Sequence, residues 1–307
     1  MSIVSICIQG RPFLRTANDI KYGDIIHAGK RKVTYSMPEN SMKEFLDTAV
    51  TAARHAGDII LENLGHLSAS DVQMKQAFDF VTTVDKSSES VIIKTIQEKF
   101  PSHSFLAEET LKQAEAGAYR WIIDPLDGTT NYIHGYPVFS VSIALEYGGE
   151  IIMGIVFDPL RDELFHAVKG GGSFLNDRKM SVSGTTTLAG SLIATGFPFK
   201  AKDMLELYLS AFRKIFFSVS DIRRAGSAAI DLAYVAAGRC EGFFELNLGP
   251  WDMAAGSLLI IEAGGVVTDF GGGNDFLSTG NVVAGNRHIQ PRILEIIREV
   301  FSGTVEK

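Results

Sequence analysis

Cysteine is scarce in this chain of 307 residues: Cys7 and Cys240 are the only two. Such usage supports neither a disulfide framework nor a cysteine-cluster zinc site, and it suits a reducing, cytoplasmic compartment. No apolar run approaches the roughly 18 residues that a membrane-spanning helix needs. A surplus of basic residues is missing too. The formal net charge is −7, which argues against direct, general nucleic-acid binding. That charge is also awkward for an enzyme acting on phosphate esters, unless metal ions supply positive charge locally. Repeats, low-complexity segments and linkers are absent. Gly170-Gly171-Gly172 lacks the spacing of a phosphate loop and lies between two predicted strands, so it reads as a hairpin turn.

Residues 1–36 lack the basic start and long apolar core of a signal peptide. They read as a non-essential extension ahead of Met37. Ser41-Met-Lys-Glu44 is a capping box, and Phe45, Ala49, Ala52, Ala53, Ala56, Ile59 and Ile60 recur behind it at helical spacing. Phe80–Val84 reads as a strand, with Asp85 ahead of a second helix and Phe105–Ala107 as a short strand. Phe139–Glu146 and Ile151–Phe157 alternate around Gly148-Gly149, a hairpin signal, and Glu163–Val168 is a further strand. From about residue 186 strands and helices alternate. This gives an α+β half with an antiparallel sheet over 37–185 and an α/β half over 186–307, sharing a core.

The chemistry centres on Trp121-Ile-Ile-Asp-Pro-Leu-Asp-Gly-Thr-Thr-Asn131. An apolar strand should end at Asp124, because Pro125 has no amide hydrogen and restricts the residue before it. Asp124 and Asp127 then lie three apart across a tight turn, Gly128 allows a ligand close to the backbone, and Thr129 and Thr130 could open a short helix. Two carboxylates, a hydroxyl and a helix start suit Mg²⁺ with a phosphate; a capped turn with solvated acids is the plainer reading. Glu108 ends a predicted strand, and Asp252 opens a predicted helix after Pro250-Trp251. Asp85 and Asp252 each also read as simple N-caps. Glu109 reads as a solvated neighbour of Glu108, since adjacent strand residues face opposite ways.

Taken together these pieces resemble the inositol monophosphatase family, in the lithium-sensitive, magnesium-dependent phosphatase superfamily. The resemblance rests on Ala107-Glu108-Glu109-Thr110, the central stretch and Trp251-Asp-Met-Ala-Ala-Gly256. Lys75…Asp79-Phe-Val-Thr-Thr-Val-Asp85, Gly226-Ser-Ala-Ala229 and Glu262-Ala-Gly-Gly265 support it. It runs from about residue 41 to the end, and Tyr132-Ile-His-Gly-Tyr-Pro137 looks more like the inositol branch than the nucleotide branch.

The resemblance implies a layered α/β/α/β/α sugar-phosphatase fold, antiparallel in its first sheet and mixed in its second. It implies that Glu108, Asp124 and the Leu126 carbonyl hold one Mg²⁺, and that Asp124, Asp127 and Asp252 hold another, with a third, weaker ion near Glu108. Hard oxygen donors are what Mg²⁺ prefers. By the same resemblance Thr129, backed by Asp85 and with Glu108 nearby, would orient or deprotonate the attacking water. The Gly128 and Thr129 amides would hold the phosphate, and Asp127, Ala228, Glu245 and Asp252 would touch the polyol. Lys75 and Asp79 would support a loop near the metals. A homodimer is implied by resemblance only.

Inositol 1-phosphate is the leading substrate, with histidinol phosphate, fructose 1,6-bisphosphate and 2′-nucleotides open. A haloacid-dehalogenase mechanism needs Asp-x-Asp, and the spacing here is one residue too long. A regulatory role with a transcription-related protein partner is the rival of another class. His134 reads as structural, and Arg223 and Arg224 as interface or salt-bridge residues rather than an anion clamp.

Overall fold

The computed structural model describes residues 4–8, 11–15, 39–76, 79–110 and 118–303. Met1–Phe45 and Leu46–Lys307 form two compact units. In the first, β1 (Val4–Ile8) pairs antiparallel with β2 (Arg11–Arg15). The rest of the expected 1–36 extension lies outside the described residues.

Helix α1 (Glu39–Asn63) begins two residues before the capping box expected at Ser41. Apolar spacing fixes which face is buried, and it leaves the first turn undetermined. Ala49, Ala52, Ala53, Ala56 and Ile60 are fully buried along that face. β3 (Val72–Gln76) and β4 (Asp79–Thr82) form a hairpin, and α2 (Thr83–Lys99) follows. The strand expected through Val84 therefore ends at Thr82. The Thr82 hydroxyl accepts from the Val84 and Asp85 amides, and Asp85 Oδ2 accepts from the Thr82 amide at 2.8 Å. This reciprocal cap starts the helix early and puts Asp85 inside its first turn instead of before it.

The first large sheet comprises β5 (Ser104–Ala107), β6 (Tyr119–Asp127), β7 (Ser140–Tyr147), β8 (Glu150–Asp158), β9 (Glu163–Val168), β10 (Gly172–Leu175) and β11 (Arg178–Lys179), with α3 (Thr129–Ile133) between β6 and β7. The spatial order runs β11 to β5 without interruption. Every pair is antiparallel except β5–β6, which is parallel. The three-glycine stretch is the β9–β10 turn, and the Gly170 and Gly172 amides donate to the Glu262 carboxylate at 2.7 and 2.9 Å.

The second sheet is mixed. It contains β12 (Leu192–Thr195), β13 (Asp221–Arg223), β14 (Gly242–Glu245), β15 (Val266–Thr268) and β16 (Val282–Gly285), in the order β13-β12-β14-β16-β15. β13, β12 and β14 are parallel; β16 runs antiparallel to β14 and β15. Its helices are α4 (Leu205–Phe216), α5 (Ala228–Ala236), α6 (Pro250–Glu262), α7 (Phe276–Thr279) and α8 (Gln290–Phe301).

The strand parity of this sheet explains the layering. Neighbours Phe243 and Phe244 point to opposite faces and both are fully buried, so the sheet is covered on both sides. Phe243 joins one apolar core with Leu232 of α5, Leu258 of α6, and Ile122 and Val156 of the first sheet. Phe244 joins another with Tyr208 and Ile215 of α4 and Ile293 and Ile297 of α8. Helices α5 and α6 thus lie between the sheets and α4 and α8 outside the second, while α2 packs on β6 and Gly57 of α1 faces Phe157 of β8. The sandwich is tight because small residues line it. A Cβ on Gly154 of β8 would come within 2.8 Å of Ala255 Cα in α6, and one on Gly256 within 2.5 Å of Leu232 Cβ.

Candidate active site

The site grows from an irregularity in β6. The strand was expected to stop at Asp124, but it continues to Asp127. Pro125 cannot donate to the ladder, and the register to β7 shifts there: Asp124 lies opposite Ser142, and Asp127 opposite Ser140. Three steps on β6 match two on β7, so one extra residue is accommodated. In a regular strand, residues three apart face opposite sides of the sheet. The extra residue reverses that parity and turns both carboxylates to one side.

Asp252 reaches the same place from α6. Pro250 starts this helix, and Asp252 is its third residue, not its cap; its Oδ2 accepts from the Gly249 amide at 2.7 Å. Ser142, opposite Asp124, donates from Oγ to the Trp251 carbonyl at 3.0 Å and ties the first turn of α6 to the bulge. Carboxylate oxygens of Asp124, Asp127 and Asp252 all lie within 4.8 Å of one another. Glu108, directly after β5, lines the same cavity of about 350 Å³, together with Leu126, Gly128 and Thr129.

Hydrogen bonds hold these groups in place. Asp127 Oδ2 accepts from Ser227 Oγ at 2.6 Å and from the Ala229 amide at 2.8 Å, at the start of α5. Asp124 Oδ1 accepts from the Leu126 amide at 3.0 Å. Thr129 Oγ1 is 2.9 Å from Asp85 Oδ1 and 3.1 Å from the Leu126 carbonyl, so its proton has two acceptors. Gly128 has φ of 97° before α3, and a Cβ there would come within 2.9 Å of the Val138 carbonyl. Asp85 is buried beneath the cavity wall, and that burial pushes its carboxyl up to about 6 against the pull of its hydrogen bonds from Thr82 and Thr129.

Glu109 departs from expectation. Its side chain is 3% exposed against 13% for Glu108, and Lys75 Nζ lies 2.5 Å from Glu109 and 3.1 Å from Glu108. Strand alternation does not apply here, because β5 ends at Ala107 and the chain turns through Glu108 and Glu109, so that both carboxylates meet the one Lys75 ammonium; the Glu109 amide donates to Glu89 at 2.9 Å. Burial would lower the Lys75 pKa; Glu108 and Glu109 outweigh it and raise it. Asp79 lines the cavity, 3.5 Å from Lys200 Nζ. His134 ends α3 and is exposed. Arg223 pairs with Asp221 at 2.5 Å, whereas Arg224 lines the cavity.

The far wall carries Ala228 and Glu245, both foreseen, and Asp231, Lys200, Phe197 and Phe199, which sequence reasoning missed. Asp231 had a usable signal: it follows Ala228 by three residues on a helix and shares its face. Lys200 and the two phenylalanines sit in the coil after β12 and had none.

The charge on this cavity is strongly unbalanced. Burial and the charges of Glu108, Asp127 and Asp252 raise the Asp124 pKa well above the usual range. Burial, Glu108 and Asp127 push Asp252 up to about 8, and burial, opposed by Ser227 and Ala229, leaves Asp127 at about 6. Buried carboxylates that resist ionisation together call for a cation. The donors are all oxygen, so the residues fit hard divalent ions such as Mg²⁺.

Residues 41–302 match the model of the inositol monophosphatase family. The Nus factor SuhB of Escherichia coli (strain K12) is 46% identical over 267 residues, covering 87% of this chain and 100% of that protein. The crystal structure of extragenic suppressor protein suhB from Bartonella henselae superposes with a TM-score of 0.79 at 42% identity, over 83% of this chain and 99% of that one. An inositol monophosphatase from Anabaena (Nostoc) sp. gives a TM-score of 0.76 at 38% identity, over 84% and 97% of the two chains.

Proposed function

The chain belongs to the inositol monophosphatase family, and on that premise we propose that it hydrolyses inositol 1-phosphate or a similar polyol phosphate monoester with Mg²⁺. One observation carries this reading: Asp124, Asp127 and Asp252, remote in sequence, bring carboxylate oxygens within 4.8 Å of one another beside Glu108. Glu108, Asp124 and the Leu126 carbonyl would hold one ion, Asp124, Asp127 and Asp252 a second, and a third would lie near Glu108. Bound there, Mg²⁺ supplies Lewis-acid polarisation of the phosphoryl group and offsets the charge that develops on it.

The chain's own residues do the rest. The Gly128 and Thr129 amides bind phosphate oxygens, and Gly128 lets the ester approach the backbone. A water in line with the scissile bond donates to Thr129 Oγ1, which donates in turn to Asp85 Oδ1. The oxygen of that water bonds to phosphorus, the P–O bond to the alcohol breaks, and the alcohol oxygen takes its proton from solvent. Asp85, with its carboxyl near 6, is ionised at neutral pH and can receive the proton. Asp127, Ala228, Glu245 and Asp252 face the polyol, where carboxyl oxygens accept from its hydroxyls.

The test is phosphate release from inositol 1-phosphate, histidinol phosphate, fructose 1,6-bisphosphate and a 2′-nucleotide, with Mg²⁺ and with or without Li⁺. Inositol 1-phosphate should be cut fastest, and Li⁺ should inhibit by replacing one Mg²⁺. Asp127→Asn should lower turnover by about a thousandfold or more while the fold persists. Release that needs no divalent ion, or an Asp127→Asn enzyme of full activity, would end this reading.

The 46% identity to a Nus factor favours a second role, binding of a transcription-related protein by a dimer of this chain. Pull-downs with wild-type and Asp127→Asn protein separate the roles. Equal capture by both proteins supports it, and no capture by either removes it.

A further inference from the structure

Asp231 is a carboxylate for which the hydrolysis described above has no use, and its position is costly. It is 3% exposed, yet it lines the cavity. None of the described residues donates a hydrogen bond to its side chain or forms an ion pair with it; burial, then the charge of Asp127, holds its pKa well above the usual carboxylate range against the pull of Arg224. Its helix is otherwise apolar: Ala228, Ala229, Ile230, Leu232 and Ala233 are all buried. An acid kept in such a helix without a protein donor disfavours folding unless something else satisfies it.

The local geometry says where that partner must sit. Ser227 and the Ala229 amide, at the start of α5, are turned to Asp127. Asp231 lies one turn further along, on the face it shares with Ala228, and so borders the cavity beyond the acidic cluster. Glu245 ends β14 on the same wall. It is 7% exposed, and no described residue hydrogen-bonds its side chain either. It leans over Gly196 so closely that a Cβ there would lie 2.0 Å from its Oε1. Arg224 lines this wall, and its charge eases both acids. The close-set oxygens of the metal cluster come from Asp124, Asp127 and Asp252, so neither Asp231 nor Glu245 extends it.

Two carboxyl groups that line the cavity outside the metal cluster, with no hydrogen-bond partner among the described residues, match a ligand that brings uncharged hydroxyls. We propose that Asp231 is a specificity-determining residue which, beside Glu245, accepts hydrogen bonds from neighbouring hydroxyls of the substrate's alcohol portion. This rests on the polyol-phosphate reading above. It selects esters of polyhydroxylated alcohols over esters with a bare leaving group, because only the former replace the donors these carboxylates lack.

The experiment uses the full chain with Mg²⁺ and two esters: inositol 1-phosphate, and phenyl phosphate, which has no hydroxyl to offer. Asp231→Leu, which keeps the branching and the number of side-chain heavy atoms, removes both acceptor oxygens; Asp231→Asn keeps one. The KM for inositol 1-phosphate should rise in the order wild type, Asn, Leu, reaching about tenfold or more in Asp231→Leu. The KM for phenyl phosphate should not follow that order, so the ratio of the two KM values shifts. A structural role alone would move both esters together. Proportional changes, or an unaltered ratio in both variants, overturn the proposal. Should Asp231→Leu not fold, the ratio for Asp231→Asn decides, with an unshifted ratio counting against. If wild type cuts neither ester, the phosphatase reading itself falls and this one with it; if it cuts both and the ratio stays fixed, only the role of Asp231 is lost.

Discussion

Replacing Asp252 by Asn should make the metal-free protein more stable and less responsive to magnesium. The substitution isolates charge from structure. An Asn oxygen can still accept from the Gly249 amide, which Asp252 Oδ2 now does at 2.7 Å, so the start of α6 keeps its cap. What disappears is one of several negative charges held together. Burial, then Glu108, then Asp127 push the Asp252 carboxyl up to about 8, from an ordinary 3.8. A raised acid pKa means that the folded state binds the proton more tightly than the unfolded one. The stability Asp252 contributes is therefore greatest below the ordinary carboxylate range and is lost as pH climbs toward 8. At pH 7 the full linkage amounts to about 4 kcal/mol. The side chain is partly open to the cavity, and allowing for water there halves this to about 2 kcal/mol.

On a domain of this size, about 2 kcal/mol corresponds to a rise in Tm of roughly 4–8 °C. The assay is thermal unfolding in a chelator at pH 7 and again near pH 4, where the advantage of the variant should shrink. Magnesium should reverse the order. A site filled at a hundred times its Kd adds about 2.7 kcal/mol to wild type, and the variant, one ligand short, gains less. If the variant melts no higher than wild type in chelator, or gains as much from Mg²⁺, then the acids are not repelling one another across a shared ion site.

Asp85→Asn should lower kcat by about a hundredfold or more and abolish an acidic limb that wild type shows near pH 6, where protonation of Asp85 removes the acceptor for Thr129. A variant that keeps the same limb in a pH–rate profile would assign it to another group. Gly154→Ala should cost about 1–3 kcal/mol, because its Cβ would press within 2.8 Å of Ala255 Cα, a backbone atom that cannot rotate away. Urea unfolding checks this, and since α6 carries Asp252 the loss of activity should exceed that expected from stability alone.

How much of this was legible in the sequence depends on whether a feature was local. The hairpin of β7 and β8 was, because its two strands alternate around Gly148-Gly149. Helix α6 was, with Pro250 at its first turn. β3 was not: Val72-Gln-Met-Lys-Gln76 alternates, but over only two apolar residues, and it pairs with β4 alone. Nor was the parallel pairing of β5 with β6, a relation between segments separated in the chain. Glu109 shows the limit of a local rule. Strand alternation would send it away from Glu108 into solvent, but the strand ends at Ala107, and tertiary packing brings both acids to the same Lys75.

The acids of the site were recognisable by type, and their convergence was not. Asp124 and Asp127 three apart in a strand should diverge, and a strand ended by Pro125 would resolve this. The fold resolves it differently, by absorbing one residue against β7 and reversing the parity. The same reasoning shows what to look for elsewhere in such a chain. Asp124 sits within an apolar strand and Asp231 interrupts an apolar helix; in each, packing forces a carboxylate into a place where no described cation pairs with it directly. A protein gains nothing in stability from burying such a group unpaired, so each marks a place where a ligand completes the chemistry. For Asp124 the missing partner is a divalent ion, since further acids crowd it; for Asp231, where Arg224 already tempers the charge, it is a neutral donor.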